Sequence, residues 1–254
     1  MISKLFPRFR PTREPPAQVP PGQRVYAIGD IHGRVDLLNQ LLSAIEADHA
    51  RRRAAELVII FLGDLVDRGP QSAQVIERAL QAAETYPDCR FLLGNHEEVF
   101  LKALHGDLKA LAFFTRIGGR ETIFSYGISE TEYRDCEYSE LLELLRLKVP
   151  SAHIAFLEAF EDLIVIGDYA FVHAGIRPEQ LLAHQRPSDL RWIREEFLSH
   201  KGPLEKIIVH GHTISEEVEI REHRIGLDTG AYASGKLTAM GFEDQERWVI
   251  DTTA

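Results

Sequence analysis

The chain has 254 residues, 44% of them hydrophobic and 27% charged, with 29 Lys and Arg against 39 Asp and Glu and a formal net charge of −10. That apolar fraction supports a packed core and excludes wholesale disorder, and the length suits one substantial α/β domain or a domain carrying an insertion. The acidic balance weighs against general nucleic-acid binding, Cys89 and Cys136 are too few for a disulfide framework, and the longest strongly apolar run, Leu57 to Leu62, is far short of the roughly 20 residues of a membrane helix.

Composition is uneven along the chain. Six of the twelve prolines fall in the first 21 residues, together with Lys4, Arg8, Arg10 and Arg13 against the single acid Glu14. This +3 segment leaves −13 for the remainder. It lacks the apolar stretch of a signal peptide, so residues 1–23 read as a flexible, proline-rich basic arm on a cytoplasmic protein without a membrane span. Residues 24–254 read as a single domain.

From Arg24 the pattern turns α/β. Val25–Ile28 is a short apolar strand ending in Gly-Asp, and Leu37, Leu38, Leu41, Leu42 and Ile45 then share one helical face. Leu57–Leu62 is a second strand ending in Gly-Asp, Val75 to Ala83 a second amphipathic helix, and Phe91–Leu93 a third strand ending in Gly-Asn. This succession implies parallel strands under helices. Helical periodicity dominates about 99–161, which reads as a helical insertion, with Gly118-Gly119 marking a turn inside it. The strand signal returns at Leu163–Ile166, Ala170–His173 and Lys206–His210, then in shorter strands to Ile250.

Five of these strands end in polar clusters: GDIHG (29–33), GDLVDRGP (63–70), GNHEE (94–98), HAGI (173–176) and HGHT (210–213). A single Gly-Asp after a strand is ordinary turn chemistry. Five successive clusters containing Asp, Asn or His instead point to one crevice at the strand ends. Asp30, His32, Asp64, Asn95, His173 and His210 supply carboxylate, amide and imidazole donors without a thiolate, a set suited to Mn²⁺, Fe or Zn²⁺. A carboxylate can bridge two such ions, and the resulting positive site attracts phosphate even in an acidic body.

In order and in wording, these boxes resemble the metallophosphoesterases, and within them the phosphoprotein phosphatase family, most closely its small bacterial members related to the lambda phage enzyme. The resemblance spans residues 29–212. It implies a β-sandwich core flanked by helices and two divalent ions, Mn²⁺ foremost, one held by Asp30, His32 and Asp64 and the other by Asp64, Asn95, His173 and His210. A hydroxide bridging the ions would attack phosphorus in line. His96 would be the general acid, Asp67 its orienting carboxylate, and Arg68 a phosphate-binding arginine. Trp192-Ile193-Arg194-Glu195 resembles the segment bearing a second phosphate arginine, which makes Arg194 the candidate, with Arg177 and Arg191 as competitors. His212 and Asp228 would stand behind the ligands.

The expected activity is hydrolysis of phosphoserine or phosphothreonine in proteins and peptides. The alternative is a nucleotide polyphosphate hydrolase of the symmetrical diadenosine tetraphosphatase type, whose boxes resemble GDLVARG and GNHD, whereas Asp67, Glu97 and His212 follow the protein-phosphatase wording. A pseudophosphatase binding module is disfavoured because no ligand or acid position is missing.

Overall fold

A computed structural model describes residues 16–253. Side-chain alternation in its first two strands sets the architecture. In β1 (Gln23–Ile28), Val25 and Ala27 enter one apolar cluster while Tyr26 and Ile28 enter another. β2 (Glu56–Phe61) repeats the division, with Val58 and Ile60 on one side and Ile59 and Phe61 on the other. Strands apolar on both faces must be covered on both.

One cover is a second sheet. β1, β2 and β3 (Asp88–Phe91) run parallel. The second sheet contains β4 (Ile164–Ile166), β5 (Tyr169–Phe171), β6 (Ile207–His210), β7 (Glu219–Ile220) and β8 (Arg224–Gly226) in the order β4-β5-β6-β8-β7. Its central strands β5, β6 and β8 are parallel and its edges antiparallel. β9 (Thr238–Glu243) and β10 (Glu246–Asp251) return antiparallel to complete the first sheet as β10-β9-β1-β2-β3. Val25, Ile60, Tyr169, Phe171, Val209 and Phe242 fill the space between the sheets. This is the expected sandwich.

Helices form the other covers. α1 (Val35–Arg51) and α2 (Ser72–Thr85) lay Leu38, Leu41, Ile45, Val75 and Ala79 against Tyr26, Ile28 and Phe61. Between the sheets in sequence lie α3 (Asn95–Leu104), α4 (Leu108–Phe114), α5 (Arg120–Ser125), α6 (Glu130–Asp135), α7 (Tyr138–Lys148) and α8 (Ser151–Glu158). They gather around their own core of Phe100, Leu111, Phe114, Ile123 and Leu145. α9 (Pro187–Trp192) and α10 (Glu195–Leu198) press Leu190 and Phe197 onto Ala170, Val172 and Ile208. A last short helix, α11 (Ala231–Ser234), follows β8.

Residues 1–15 of the expected arm lie outside the described residues, and residues 18 and 19 are already bound to the domain. Val19 is buried in the inter-sheet core, its N–H donates to the Asp244 carbonyl, and the Gln18 N–H donates to Asp168 Oδ2 at 3.0 Å. Around Gly118-Gly119 the chain passes from α4 to α5 through a wider π coil, kinked where Gly118 takes a non-helical φ of +119, and the turn follows at Tyr126-Gly127.

Arg24 shows how polar groups are tolerated in this core. Its side chain is fully buried, with Nε donating to Glu243 Oε2 at 2.8 Å, Nη2 to the Arg53 carbonyl at 2.6 Å and Nη1 to the His49 carbonyl at 3.2 Å. Removing one partner of such a pair strands the other, and Glu243→Gln is expected to cost about 3 kcal/mol in urea unfolding. Arg24, aided by Arg53, holds the Glu243 carboxyl below the ordinary range against the upward push of burial. The corresponding stability is therefore present above the unfolded carboxyl pKa of about 4.3 and lost as pH falls through the lowered folded value. Glu243→Gln should flatten that part of the acid limb.

Candidate active site

The loops after β1, β2 and β3 meet those after β5, β6 and β8 at one end of the sandwich. The His173 Nδ1–H donates to the Leu62 carbonyl at 2.8 Å, and the His212 backbone N–H lies 3.1 and 3.0 Å from the two Asp30 oxygens. Each contact joins one sheet to the other. The backbone at this junction is unusual. His32, Asp64, Asp67, Arg68 and His212 all have φ between +46 and +74, leaving Asp244 as the only other described non-glycine residue with positive φ. Such conformations cost about 1–3 kcal/mol each and persist only where the surroundings fix them.

Glu97 is what fixes the loop after β2. Its fully buried carboxylate accepts from the Asp64 and Leu65 N–H groups at 2.8 Å, Val66 at 3.0 Å and Gly94 at 3.1 Å. Burial, then the Asp64 charge, push its pKa up to about 7, while the four donors favour the carboxylate form. The fit requires Gly94, where a Cβ would stand 2.2 Å from Asp64 Oδ1 and 2.5 Å from Glu97 Oε2.

Ligand atoms converge on Asp64. His32, Asp64 and His96 form one group whose donor atoms lie within 4.8 Å of one another, and Asp64, His173 and His212 form a second. The His32 Nδ1–H donates to the Val66 carbonyl at 2.7 Å, which turns the Nε2 lone pair inward, 3.6 Å from Asp64 Oδ2. His173 Nε2 lies 3.0 Å from Asn95 Oδ1, 3.2 Å from His212 Nδ1 and 3.4 Å from Asp64 Oδ1. Asp30 stands at the same junction. Burial, then Asp228 and Asp64, push its carboxyl well above the ordinary range. Burial also pushes Asp64 up, but His173 and His96 outweigh it and hold Asp64 well below its usual value.

This donor set fits divalent cations. Burial lowers the His32 ring to about 3 and the His212 ring to about 2, keeping both imidazoles neutral. His32 Nε2, His210 Nε2, His212 Nε2 and Asp228 Oδ2 are buried without a hydrogen-bond partner. Buried neutral imidazoles with open lone pairs beside crowded carboxylates are what a cation satisfies.

His210 sits differently from its sequence assignment. Its Nδ1 lies 3.0 Å from the Gly211 carbonyl, its ring meets Phe197 edge-on at 5.1 Å, its buried Nε2 has no hydrogen-bond partner, and like Asp30 it belongs to neither group. His212, expected behind the ligands, lies in the second group. Two residues apart in an extended strand the rings would share a side, but the left-handed φ of His212 breaks that register.

A polar chain leads out from His96 of the first group. The His96 Nδ1–H donates to Asp67 Oδ2 at 2.6 Å, and Arg68 Nη2 lies 3.0 Å from His96 Nε2. Burial lowers the His96 pKa, but Asp64 and Asp67 outweigh it and the net shift is upward. The Arg68 guanidinium stands 5.0 Å from the Tyr232 ring centroid.

The family model of the calcineurin-like phosphoesterases matches residues 23–240. The chain belongs to that family. It is a metal-dependent phosphoester hydrolase, and its similarity to individual proteins narrows the comparison. It is 25% identical over 250 residues to the asymmetrical bis(5′-nucleosyl)-tetraphosphatase PrpE of Anoxybacillus flavithermus, covering 89% of this chain and 93% of that one. It is 32% identical over 184 residues to a symmetrical bis(5′-nucleosyl)-tetraphosphatase of an Acidovorax species, covering 72% of this chain and 51% of the relative. A solved structure provisionally described as a diadenosine tetraphosphatase superposes with a TM-score of 0.62 at 21% identity, over 93% of this chain and 98% of the other. These relatives are named for dinucleotide cleavage, whereas the motif reading put protein dephosphorylation first.

In this phosphoesterase the three candidate arginines separate clearly. Arg191 bonds Asp162 at 2.6 Å and approaches Glu98 at 3.6 Å, while Arg177 bonds Asp189 at 3.0 Å and approaches Glu196 at 3.7 Å. The Trp192 Nε1–H donates to Glu98 Oε2 at 2.7 Å and anchors the segment on α3. Arg194 is exposed, and its charge contributes to lowering the His212 pKa. Asp228 accepts from the Gly230 N–H at 2.9 Å through Oδ1. No helix among the described residues is long and apolar enough to cross a membrane.

Glu97→Gln replaces one acceptor oxygen by an NH₂ facing backbone donors. It is expected to cost about 2–4 kcal/mol in urea unfolding and to weaken metal binding measured by calorimetry. Glu98→Gln, one residue away, should leave metal affinity intact.

Proposed function

We propose that this phosphoesterase cleaves the phosphoric anhydride chain of dinucleoside polyphosphates such as diadenosine tetraphosphate. The observation that supports this substrate class is the end-to-end similarity to the asymmetrical tetraphosphatase, which covers about nine-tenths of both chains. The site supports the chemistry. Asp30, His32 and Asp64 are assigned to one divalent cation and Asp64, Asn95, His173 and His212 to the other, with Asp64 shared and His210 left outside. Bound there, the ions supply Lewis-acid charge on phosphoryl oxygens and lower the pKa of water. Arg68 and Arg194 bind phosphoryl oxygens, Arg68 in the planar two-point manner of a guanidinium. When Arg68 turns to the substrate, His96 Nε2 is released to hold a proton for the leaving oxygen, and Asp67 fixes the opposite edge of the ring.

A second reading, hydrolysis of phosphoserine or phosphothreonine in proteins, is favoured by the Asp67–His96 pair. A serine alkoxide is a far poorer leaving group than a nucleotide phosphate and depends more on a positioned acid. Purified protein supplied with Mn²⁺ or chelator, and offered diadenosine tetraphosphate and a phosphoserine peptide, distinguishes the two. We expect kcat/KM for the dinucleotide to exceed that for the peptide by about 100-fold or more, and the reverse order would replace the first reading by the second. His212→Gln should lose one of two bound ions by calorimetry while His210→Gln retains both; the opposite pattern would restore the motif assignment. His96→Asn should keep its metal and lose turnover mainly on poor leaving groups.

A further inference from the structure

The carboxylate of Asp67 is held by a residue outside all five strand-end boxes. Thr122, on α5 of the helical stretch, is fully buried. Its Oγ1–H donates to Asp67 Oδ1 at 2.7 Å, and the same oxygen accepts the Asp67 N–H at 2.8 Å. The other Asp67 oxygen takes the His96 Nδ1–H. We propose that Thr122 is a positioning residue for the reaction, its hydroxyl fixing the Asp67 carboxylate so that Asp67 holds the His96 ring in the orientation in which it serves the leaving group.

The division of labour around Asp67 supports this. Ser72 Oγ also accepts the Asp67 N–H, at 3.0 Å, so the left-handed backbone there keeps an acceptor if Thr122 loses its hydroxyl. The next residue is held from the same helical stretch, because the Arg68 N–H donates to the Gly118 carbonyl at 3.0 Å. Oδ1 has no such reserve, since Thr122 is the only hydrogen-bond donor it meets among the described residues. Thr122 Oγ1 also lies 2.9 Å from Ser72 Oγ, so loss of the hydroxyl falls on the carboxylate and on the Ser72 hydroxyl, while the Asp67 N–H keeps an acceptor. A buried carboxylate held at one oxygen can swing about its Cβ–Cγ bond, and the imidazole bonded to the other swings with it. General acid catalysis is steep in such displacement because the proton must already lie along the line of transfer. Thr122 touches neither group of converging donor atoms around Asp64 and reaches the first only through Asp67 and His96, so metal affinity is measured beside turnover.

The proposal rests on His96 as the acid, and the variants distinguish failure of that reading from failure of the inference. Thr122→Val keeps the shape and branching of the side chain and removes only the hydroxyl; Thr122→Ser keeps the hydroxyl. With a series of aryl and alkyl phosphates, Thr122→Val should lower kcat about tenfold for the poorest leaving groups and under about threefold for the best. KM and calorimetric metal affinity should stay within about twofold, and Thr122→Ser should recover most of the rate. In the metal-free protein, the His96 Nδ1–H resonance should broaden or exchange faster with water in Thr122→Val and persist in Thr122→Ser. Equal rate losses across all leaving groups, or parallel losses of KM, metal affinity and unfolding temperature, would overturn the proposal in favour of a packing role. If His96→Asn shows no leaving-group dependence, the acid reading itself fails. If it does and Thr122→Val does not, the inference alone fails. If Thr122→Val does not fold, Thr122→Cys offers a weaker donor of similar size, and full wild-type rates on poor leaving groups would overturn the proposal.

Discussion

Glu97 carries the constraint on which the rest of the site depends. The loop after β2 must leave the sheet in a left-handed conformation at Asp64, continue through Leu65 and Val66, and reverse again at Asp67 and Arg68. That path turns three successive N–H groups away from any strand partner and buries them. Glu97, at the third position of α3, collects all three and the Gly94 N–H as well. Without that carboxylate the buried donors are unsatisfied, and a strained loop with unsatisfied donors relaxes. Asp64, the residue common to both ligand groups, would move with it. The acid next to the metal-ligand motif is thus a structural anion whose charge is spent on backbone.

The same carboxylates explain the electrostatic layout. Burial and neighbouring carboxylates push Asp30 and Asp228 up, His173 and His96 hold Asp64 down, and the imidazoles of His32 and His212 are kept neutral by burial. The carboxylates are gathered where a cation would enter, with the Arg68 charge acting on Asp30 and Asp228. On the proposed reading, a chain with a net charge of −10 binds an anionic substrate because the local field at the strand ends would be set by the ions and the two arginines rather than by the total.

Much of this was legible in the sequence because the signals are local. Apolar runs such as Leu57–Leu62 mark buried strands, and a glycine followed by Asp, Asn or His after each one marks the edge where function collects. Less legible was anything set by backbone inversion or by contact across the chain. His210 and His212 satisfy the same spacing, and only the left-handed turn at His212 decides which ring faces Asp64. Thr122 and Gly118 lie in helical sequence with no motif, yet their partners are Asp67 and Arg68, more than 45 residues earlier in the chain. Val19 belongs to a proline-rich segment whose composition reads as a free arm, yet its side chain is buried and the backbone of Gln18 and Val19 is bonded to Asp168 and Asp244. Substrate class was the least legible, because ligands and acid serve any phosphoester and the boxes are shared among families with different substrates.

The placement of the site across the two sheets has a mechanical consequence. His173 and His212 come from one sheet and Asp64, Asn95 and His96 from the other, and the layer joining them is solid with Val25, Ile60, Phe171 and Phe242. Enzymes that assemble their centres between two movable lobes gain selectivity by closing on the correct ligand. A centre mounted on a rigid girder has no such stroke. Its discrimination must come from the rim, from residues such as Arg194 and Tyr232 that border the floor without belonging to it. Such a floor can be inherited unchanged while the border is rewritten, which is how one scaffold comes to serve many phosphate esters.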